Sequence, residues 1–207
     1  MVGLTGPACA GKSELSRILQ AEAGLVALQL SAYVRREVEL SCIDPSRADL
    51  QRVGDELRRT RGAGCLAEVA LDDAAAAPGA PGFIVDGIRN PAEIETLRAG
   101  ARFLLVGVDA PAEERFRRNI ARHYLRQVDR AVFEAEDRRE LGAGSPPEWG
   151  QNIGRCLEVA RSAPFGVYIY NDGTPRQLKE RAREVLRRVT GLKGAPAPAP
   201  GEAGKAG

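Results

Sequence analysis

The sequence predicts an α/β fold, a three-layer α/β/α sandwich in which helices cover both faces of a parallel sheet. Short apolar runs typical of buried strands alternate along the chain with amphipathic stretches at helical spacing. A glycine-rich loop joins the first of these runs to the first amphipathic stretch. With 207 residues, 43% of them hydrophobic, the chain is long enough for one domain that contains an inserted subdomain.

The glycine-rich loop, residues 6–13, reads G-x-x-x-x-G-K-S and is the most informative stretch of the chain. It follows the apolar run 2–4 and precedes an amphipathic segment, which is the strand, loop and helix order of a phosphate-binding loop. Gly6 and Gly11 permit backbone conformations that let N–H groups surround an anion, and the next helix adds the positive end of its dipole. A chance match in a turn before a surface helix is the alternative.

On the phosphate-binding interpretation, Lys12 contacts the β- and γ-phosphates of a nucleotide, and the Ser13 hydroxyl is a ligand of Mg²⁺. The chain then offers one carboxylate in the right place, because Asp86 ends the predicted strand 83–87 and faces the crevice beside the loop. An ordinary turn role for Asp86 is the alternative. The predicted nucleotide-binding residues are Gly6, Pro7, Ala8, Cys9, Ala10, Gly11, Lys12, Ser13 and Glu14, and the predicted metal site is Ser13 with Asp86.

The other elements follow in alternation. A first helix is predicted at 12–23, and the later strands at 25–30, 83–87, 102–108 and 167–170. Ser31 is expected to cap the helix after the second strand, with Arg35 in its first turns. Further helices are predicted at 46–61, 65–77, 151–161 and 175–189 and directly after Pro111. On the 46–61 helix, the face opposite the apolar positions holds Arg52, Arg58, Arg59 and Arg61.

Arginines recur in places where a second phosphate would need them. Arg89 follows Asp86 by three residues, and its guanidinium is suited to a bidentate contact with a substrate phosphate. We predict that Arg35 and Arg89 bind the acceptor. On the helix after Pro111, Phe116, Ile120 and Tyr124 are expected to form the packed side, and Arg115, Arg118, Arg122 and Arg126 form a second stripe.

A solvated charged face is the usual explanation of such a stripe. Its excess of positive charge, in a chain with a phosphate loop, favours a functional role equally. On that role, these arginines neutralise a transferring phosphoryl group when a lid closes. Residues 117–150 are the predicted lid, and Trp149 is expected to pack where the lid rejoins the core.

Composition limits the possible partners and the location. A net charge of +2, from 30 basic and 28 acidic residues, and an aromatic content of only 5% argue against nucleic acid binding. The cysteines, Cys9, Cys42, Cys65 and Cys156, are far apart, which favours reduced thiols over disulfides or zinc. We expect a cytoplasmic protein without a secretory signal or a membrane span. His123 is expected at the surface, and the Ala/Pro/Gly-rich residues 192–207 are predicted to be disordered.

The order of elements resembles that of the nucleoside monophosphate kinase branch of P-loop proteins over residues 2–190. Residues 3–6 resemble the opening of dephospho-CoA kinase, and Asp86-Gly87-Ile88-Arg89 resembles the D-G-x-x-R of adenylate kinase-like enzymes. Residues 86–93, 108–117 and 171–173 resemble segments of deoxynucleoside monophosphate kinases and of kinase-like proteins classed with the AAA group. The H-x-E and P-C-x-x-C motifs of a fused deaminase that some relatives carry do not occur.

The resemblance implies a P-loop NTPase fold with a five-stranded parallel sheet in the order 2-3-1-4-5. It implies a kinase domain over 1–190, with an acceptor-binding helical insert at 31–77 and a lid at 117–150. It also implies that Arg118 and Arg122 are the lid arginines, which makes them the predicted catalytic residues together with Lys12 and Arg89. The implied activity is transfer of the γ-phosphate of Mg·ATP to a small phosphorylated acceptor, a nucleoside or deoxynucleoside monophosphate. Two alternatives remain open: dephospho-CoA as the acceptor, which the long lid argues against, and an ATP-binding regulatory module without transfer.

Overall fold

A parallel sheet forms the centre of the molecule. The computed structural model describes residues 1–39, 46–122 and 128–193. Within them, five strands lie in the order β2-β3-β1-β4-β5, and every neighbouring pair is parallel. The strands are β1 (Val2–Thr5), β2 (Val26–Gln29), β3 (Phe83–Ile88), β4 (Leu104–Asp109) and β5 (Gly166–Tyr170). This confirms the predicted fold class and strand order, and it places short β1 at the buried centre of the sheet.

Helices cover both faces of this sheet. They are α1 (Lys12–Ala23), α2 (Leu30–Glu39), α3 (Arg47–Arg61), α4 (Cys65–Ala75), α5 (Pro91–Gly100), α6 (Ala112–Arg122), α7 (Arg130–Leu141), α8 (Ile153–Ser162) and α9 (Pro175–Lys193). Alternate strand residues point to opposite faces, so Leu104 packs with α1 and α9, whereas Leu105 packs with the core that contains α2, α4, α5 and α8. The result is three layers with two hydrophobic cores.

The ends of the helices follow local chemistry. Gly24 ends α1 in the left-handed conformation at φ 64°, and Ser46 caps α3 in a capping box with Asp49. The prediction that Ser31 is an N-cap was wrong, because α2 begins at Leu30, directly after β2. Ser31 therefore lies inside the first turn of α2.

Two sequence predictions about exposure were also wrong. Ile120 was expected on the packed side of α6, but it is 45% exposed, whereas Phe116 is buried as predicted and packs against Phe133 of α7. Arg115 belonged to the predicted arginine stripe, but it is buried in an ion pair with Asp137. Burial of a guanidinium is tolerated here because the carboxylate binds it at two positions. A second arginine, Arg58, is likewise buried and is described with the site below.

Several predictions fall at the limits of the described residues. Cys42, His123, Tyr124 and Arg126 lie outside them, as do residues 194–207 of the predicted tail, whereas α9 includes residues 192 and 193. Cys9, Cys65 and Cys156 are free thiols. In the described part of the chain, no helix has the length and apolarity needed to cross a membrane.

Candidate nucleotide and acceptor site

The glycine-rich loop connects β1 to α1 and depends on glycine at two positions. Gly6 has φ 140° and Gly11 has φ 114°, both in the region that side chains disfavour. A Cβ atom at Gly6 would overlap the backbone oxygen of Val108, and one at Gly11 would overlap the side-chain amide of Asn171. The loop therefore needs glycine both for its backbone conformation and for its close approach to neighbouring segments.

Lys12 crosses the loop that precedes it. Its Nζ donates to the backbone oxygens of Gly6 at 2.6 Å and of Pro7 at 2.8 Å. Burial lowers the pKa of Lys12 to about 8, although the charge of Asp86 opposes this shift. Because the first N–H groups of a helix have no intrahelical acceptor, the start of α1 adds free donors beside this ammonium. The loop thus has the donor set and the sign of charge that suit a nucleotide's phosphates.

Arg118 of α6 and Asn171 after β5 close onto this loop. Arg118 Nη2 donates to the Asn171 backbone oxygen at 3.0 Å, and Nη1 lies 3.4 Å from the backbone oxygens of Cys9 and Ala10. The Asn171 side chain donates to Ala10 O at 2.8 Å. The structure therefore places Arg118 at the loop, whereas Arg122, one turn further, is exposed at the end of the described part of α6. The sequence indicated Asn171 only through its resemblance and not as a support of the loop.

Asp86 lies in β3, in register with Leu4 of β1 and Gln29 of β2. Burial raises the pKa of its carboxyl group, and the charges of Lys12 and Arg89 oppose that shift. Ser13 is exposed in the first turn of α1, and Glu14 pairs with Arg17 at 2.6 Å. No cluster of three or more His, Cys, Asp or Glu side chains within the described ranges could hold a metal ion. A Mg²⁺ ion bound by Ser13 and Asp86 would take its other ligands from phosphate and water, as is usual for this ion.

The turn after β3 is held by an internal network. Glu93 is fully buried and accepts hydrogen bonds from the backbone N–H groups of Arg89 at 2.8 Å and Asn90 at 3.1 Å, and from Arg58 Nε at 2.8 Å. Asn90 caps α5, and Pro91 begins it. This network accounts for the D-G-I-R-N-P-x-E segment, and it corrects the prediction that Arg58 lies on the polar face of α3. The segment fixes the backbone that carries Arg89.

The Arg89 side chain binds two oxygens from distant segments. Its Nη1 donates to Glu140 Oε1 at 2.6 Å and to Gln151 Oε1 at 3.1 Å. Glu140, in the last turn of α7, is 1% exposed and also binds Arg47 at 2.9 Å and Gln51 at 3.2 Å. Burial alone would raise the pKa of Glu140, but Arg89 and Arg47 outweigh it and lower the pKa to about 2. Sequence reasoning missed Arg47, Gln51 and Glu140, because no local motif joins them.

A small cavity of about 60 Å³ lies beside this network, between α2, α3 and the turn after β3. Its polar and charged lining residues are Ser31, Arg47, Gln51, Arg58, Arg89 and Gln151. Arg35 does not line it and is exposed on α2, so its assignment to the acceptor stays a prediction. A larger open groove of about 750 Å³, lined by half-buried Trp149 and by Arg52 and Arg139, contains none of the predicted site residues.

The strand order and the glycine-rich loop between β1 and α1 together define a P-loop kinase-like fold. A gluconokinase from Sinorhizobium meliloti shares this fold at 12% sequence identity and a TM-score of 0.55, and the match covers 94% of this chain and 97% of that one. A sugar kinase from Janibacter sp. shares it at 20% identity and a TM-score of 0.51, covering 92% of this chain and 96% of that one. A shikimate kinase from Acinetobacter baumannii shares it at 17% identity and a TM-score of 0.50, covering 94% of each chain.

Relatives in sequence define the family more closely. The UPF0200 protein of Methanothrix thermoacetophila is 33% identical over 196 residues, which cover 91% of this chain and 97% of that protein. The UPF0200 protein of Aeropyrum pernix is 32% identical over 188 residues, which cover 90% and 92%. The chain belongs to the UPF0200 family. No family model matches it.

Proposed function

We propose that the chain is a phosphotransferase of the nucleoside monophosphate kinase type. It transfers the γ-phosphate of Mg·ATP to a small acceptor that already carries a phosphate, a nucleoside or deoxynucleoside monophosphate. The observation that carries this proposal is the presence of two cationic centres at one edge of the sheet. The loop with Lys12 follows β1, and Arg89 follows the neighbouring strand β3. Ligands of open α/β sheets bind at this edge, so donor and acceptor would meet there.

Each centre has a distinct role in the proposal. The loop amides and Lys12 bind the β- and γ-phosphates, and the ammonium gains its full charge because added phosphate charge raises the pKa of a lysine. Ser13 and Asp86 would hold Mg²⁺, which would supply charge neutralisation at the phosphate oxygens. Arg118 and Arg122 neutralise the charge of the transferring group, and Arg89 orients the acceptor phosphate with Arg35.

The reaction needs little covalent chemistry from the protein. An oxygen of the acceptor phosphate attacks the γ-phosphorus, the bond from that phosphorus to the β–γ bridging oxygen breaks, and ADP leaves with the electron pair. The attacking oxygen is already ionised, so no general base is required. The nearby carboxylates, Asp86 and Glu140, are given other roles here, Asp86 at the metal and Glu140 as a partner of Arg89. Positioning and charge neutralisation would provide most of the rate.

Transfer of label from radiolabelled ATP tests this proposal. The acceptor panel contains nucleoside and deoxynucleoside monophosphates and dephospho-CoA. We expect acceptor-dependent ADP release with a nucleoside monophosphate, its loss in Arg89→Ala, and its retention in Arg155→Ala, which removes an exposed arginine of α8 that pairs with Glu158. Transfer to dephospho-CoA alone would instead identify that acceptor. Binding of ATP without acceptor-dependent ADP release on the whole panel would contradict the proposal and favour a regulatory module.

A further inference from the structure

The two arginines of the acceptor side already hold an anion that belongs to the protein. Glu140 Oε1 accepts from Arg89 Nη1 at 2.6 Å and from Arg47 Nε at 3.3 Å, and its second oxygen lies 2.9 Å from Arg47 Nη2. The carboxylate is 1% exposed, whereas the Arg47 and Arg89 side chains keep 29% and 30% of their surface exposed. Another anion that binds the same guanidinium nitrogens of both arginines must therefore take the place of Glu140.

The cavity offers more donors than this carboxylate uses. Arg47 Nη2 and Arg58 Nη1 are buried and have no hydrogen-bond partner within the described residues, although each lies near a carboxylate. Both arginines line the cavity of about 60 Å³, with the amide side chains of Gln51 and Gln151. Buried donors without acceptors are costly, so an additional acceptor at this place would stabilise the site.

A phosphate monoester suits such a site better than a carboxylate. Near pH 7 it carries a charge of about −1.5 to −2 on three acceptor oxygens, against one charge on the two oxygens of Glu140. Paired arginines bind phosphate in bidentate geometry, so the greater charge and the extra oxygen both favour exchange. A ligand with a single carboxylate has no such advantage over the internal one.

We infer that Glu140 is a specificity-determining residue of the acceptor site, an internal anion that a phosphate monoester displaces from Arg89 and Arg47 and that keeps singly charged anions out. The inference rests on the proposed function in that the cavity beside Arg89 is taken as the acceptor site. The exchange is local, because Glu140 lies in the last turn of α7, two residues before the left-handed Gly142. The buried Arg115–Asp137 pair and the Phe116–Phe133 contact still anchor α7 when Glu140 moves.

Calorimetric titration of methyl phosphate and acetate into the full chain at pH 7.5 tests the inference. A non-hydrolysable ATP analogue fills the phosphate loop, and wild type is compared with Glu140→Gln and Glu134→Gln. We expect wild type to bind methyl phosphate but not acetate, and Glu140→Gln to bind methyl phosphate at least about tenfold more tightly and acetate measurably, because the competing state is removed. Glu134 is the matched control, since it lies on α7, its one ion pair among the described residues is with exposed Arg130, and its substitution gives the same change in net charge.

Methyl phosphate affinity in Glu140→Gln equal to or weaker than that of wild type would overturn the inference, as would the absence of binding in both proteins. A second measurement needs no variant, in case Glu140→Gln does not fold. Methyl phosphate should speed amide hydrogen exchange in residues 138–142 of wild type and leave residues 130–134 unchanged, whereas unchanged or slower exchange in 138–142 would contradict displacement. If methyl phosphate displaces Glu140 but no acceptor receives a phosphoryl group, the result counts against the proposed function alone. If an acceptor is phosphorylated but Glu140 is not displaced, the result counts against this inference alone.

Discussion

The two proposed anion-binding regions of this molecule are built in different ways. The phosphate loop is local: eight consecutive residues supply its glycines, backbone donors and lysine, and Lys12 rests on backbone carbonyl oxygens. The acceptor side is assembled from α3, the turn after β3, α7 and Gln151, and a buried carboxylate already neutralises its arginines. On the proposed function, binding at the loop adds an anion, whereas binding at the arginines exchanges one anion for another.

The largest expected effect comes from a substitution that disrupts the phosphate loop and leaves the arginines of the acceptor side unchanged. Gly6→Ala forces a side chain into a positive φ and onto the Val108 oxygen. We expect about 3 kcal/mol or more of lost stability and no measurable binding of an ATP analogue. Calorimetric binding and thermal melting measure the two effects. Gly79→Ala is the control, because nothing lies within 4 Å of a Cβ there, and a similar loss in that variant would contradict a specific role for the loop.

The next substitution separates the two roles of Arg89, the stabilisation of buried Glu140 and the proposed binding of the acceptor. Arg89→Ala leaves buried Glu140 with fewer cations, so we expect a loss of about 3 kcal/mol in unfolding free energy and a large rise in acceptor KM. ATP affinity should stay within about twofold of wild type, because Arg89 makes no described hydrogen bond to the loop.

Adding Glu140→Gln to Arg89→Ala should recover most of that stability and none of the acceptor affinity. Chemical denaturation and acceptor titration of the two single variants and the double variant complete the cycle. Recovery of acceptor affinity together with stability would mean that Arg89 acts only as a structural partner of Glu140.

The smallest expected effect is a pH dependence confined to the loop. In the nucleotide-free chain the pKa of Lys12 is lowered to about 8, so above that pH the neutral amine must take up a proton to bind phosphate. ATP affinity should therefore fall by about tenfold for each pH unit above 8. Binding of methyl phosphate at the arginines should remain constant over the same range, since a guanidinium does not titrate there. Titrations from pH 7 to 9.5 compare the two.

The same difference explains what the sequence could predict. The phosphate loop, the alternating elements and the placement of Asp86 in β3 and of Arg89 directly after it are properties of short segments, and each can be recognised from consecutive residues. The exact strand order came from the resemblance to known kinases. These features were enough for the fold class and for the nucleotide side of the candidate site.

The acceptor side was not predictable, because its contacts join residues far apart in the chain. Glu140 contacts Gln51 across 89 positions and Arg89 across 51. Arg58 and Arg115 were assigned to polar helical faces. Both are buried in ion pairs, Arg58 with Glu93 and Arg115 with Asp137, and helical periodicity does not reveal such partners. Helical periodicity alone therefore placed these two arginines at the surface, because the carboxylates that pair with them lie on other elements.

The most direct test of two separate anion sites is a pair of titrations on Lys12→Ala and Arg89→Ala. One uses a non-hydrolysable ATP analogue, and the other uses methyl phosphate with the analogue present wherever it binds. We predict that Lys12→Ala loses binding of the analogue by about 100-fold and keeps that of methyl phosphate, and that Arg89→Ala shows the reverse. Loss of both ligands in either folded variant, or of neither, would contradict the account.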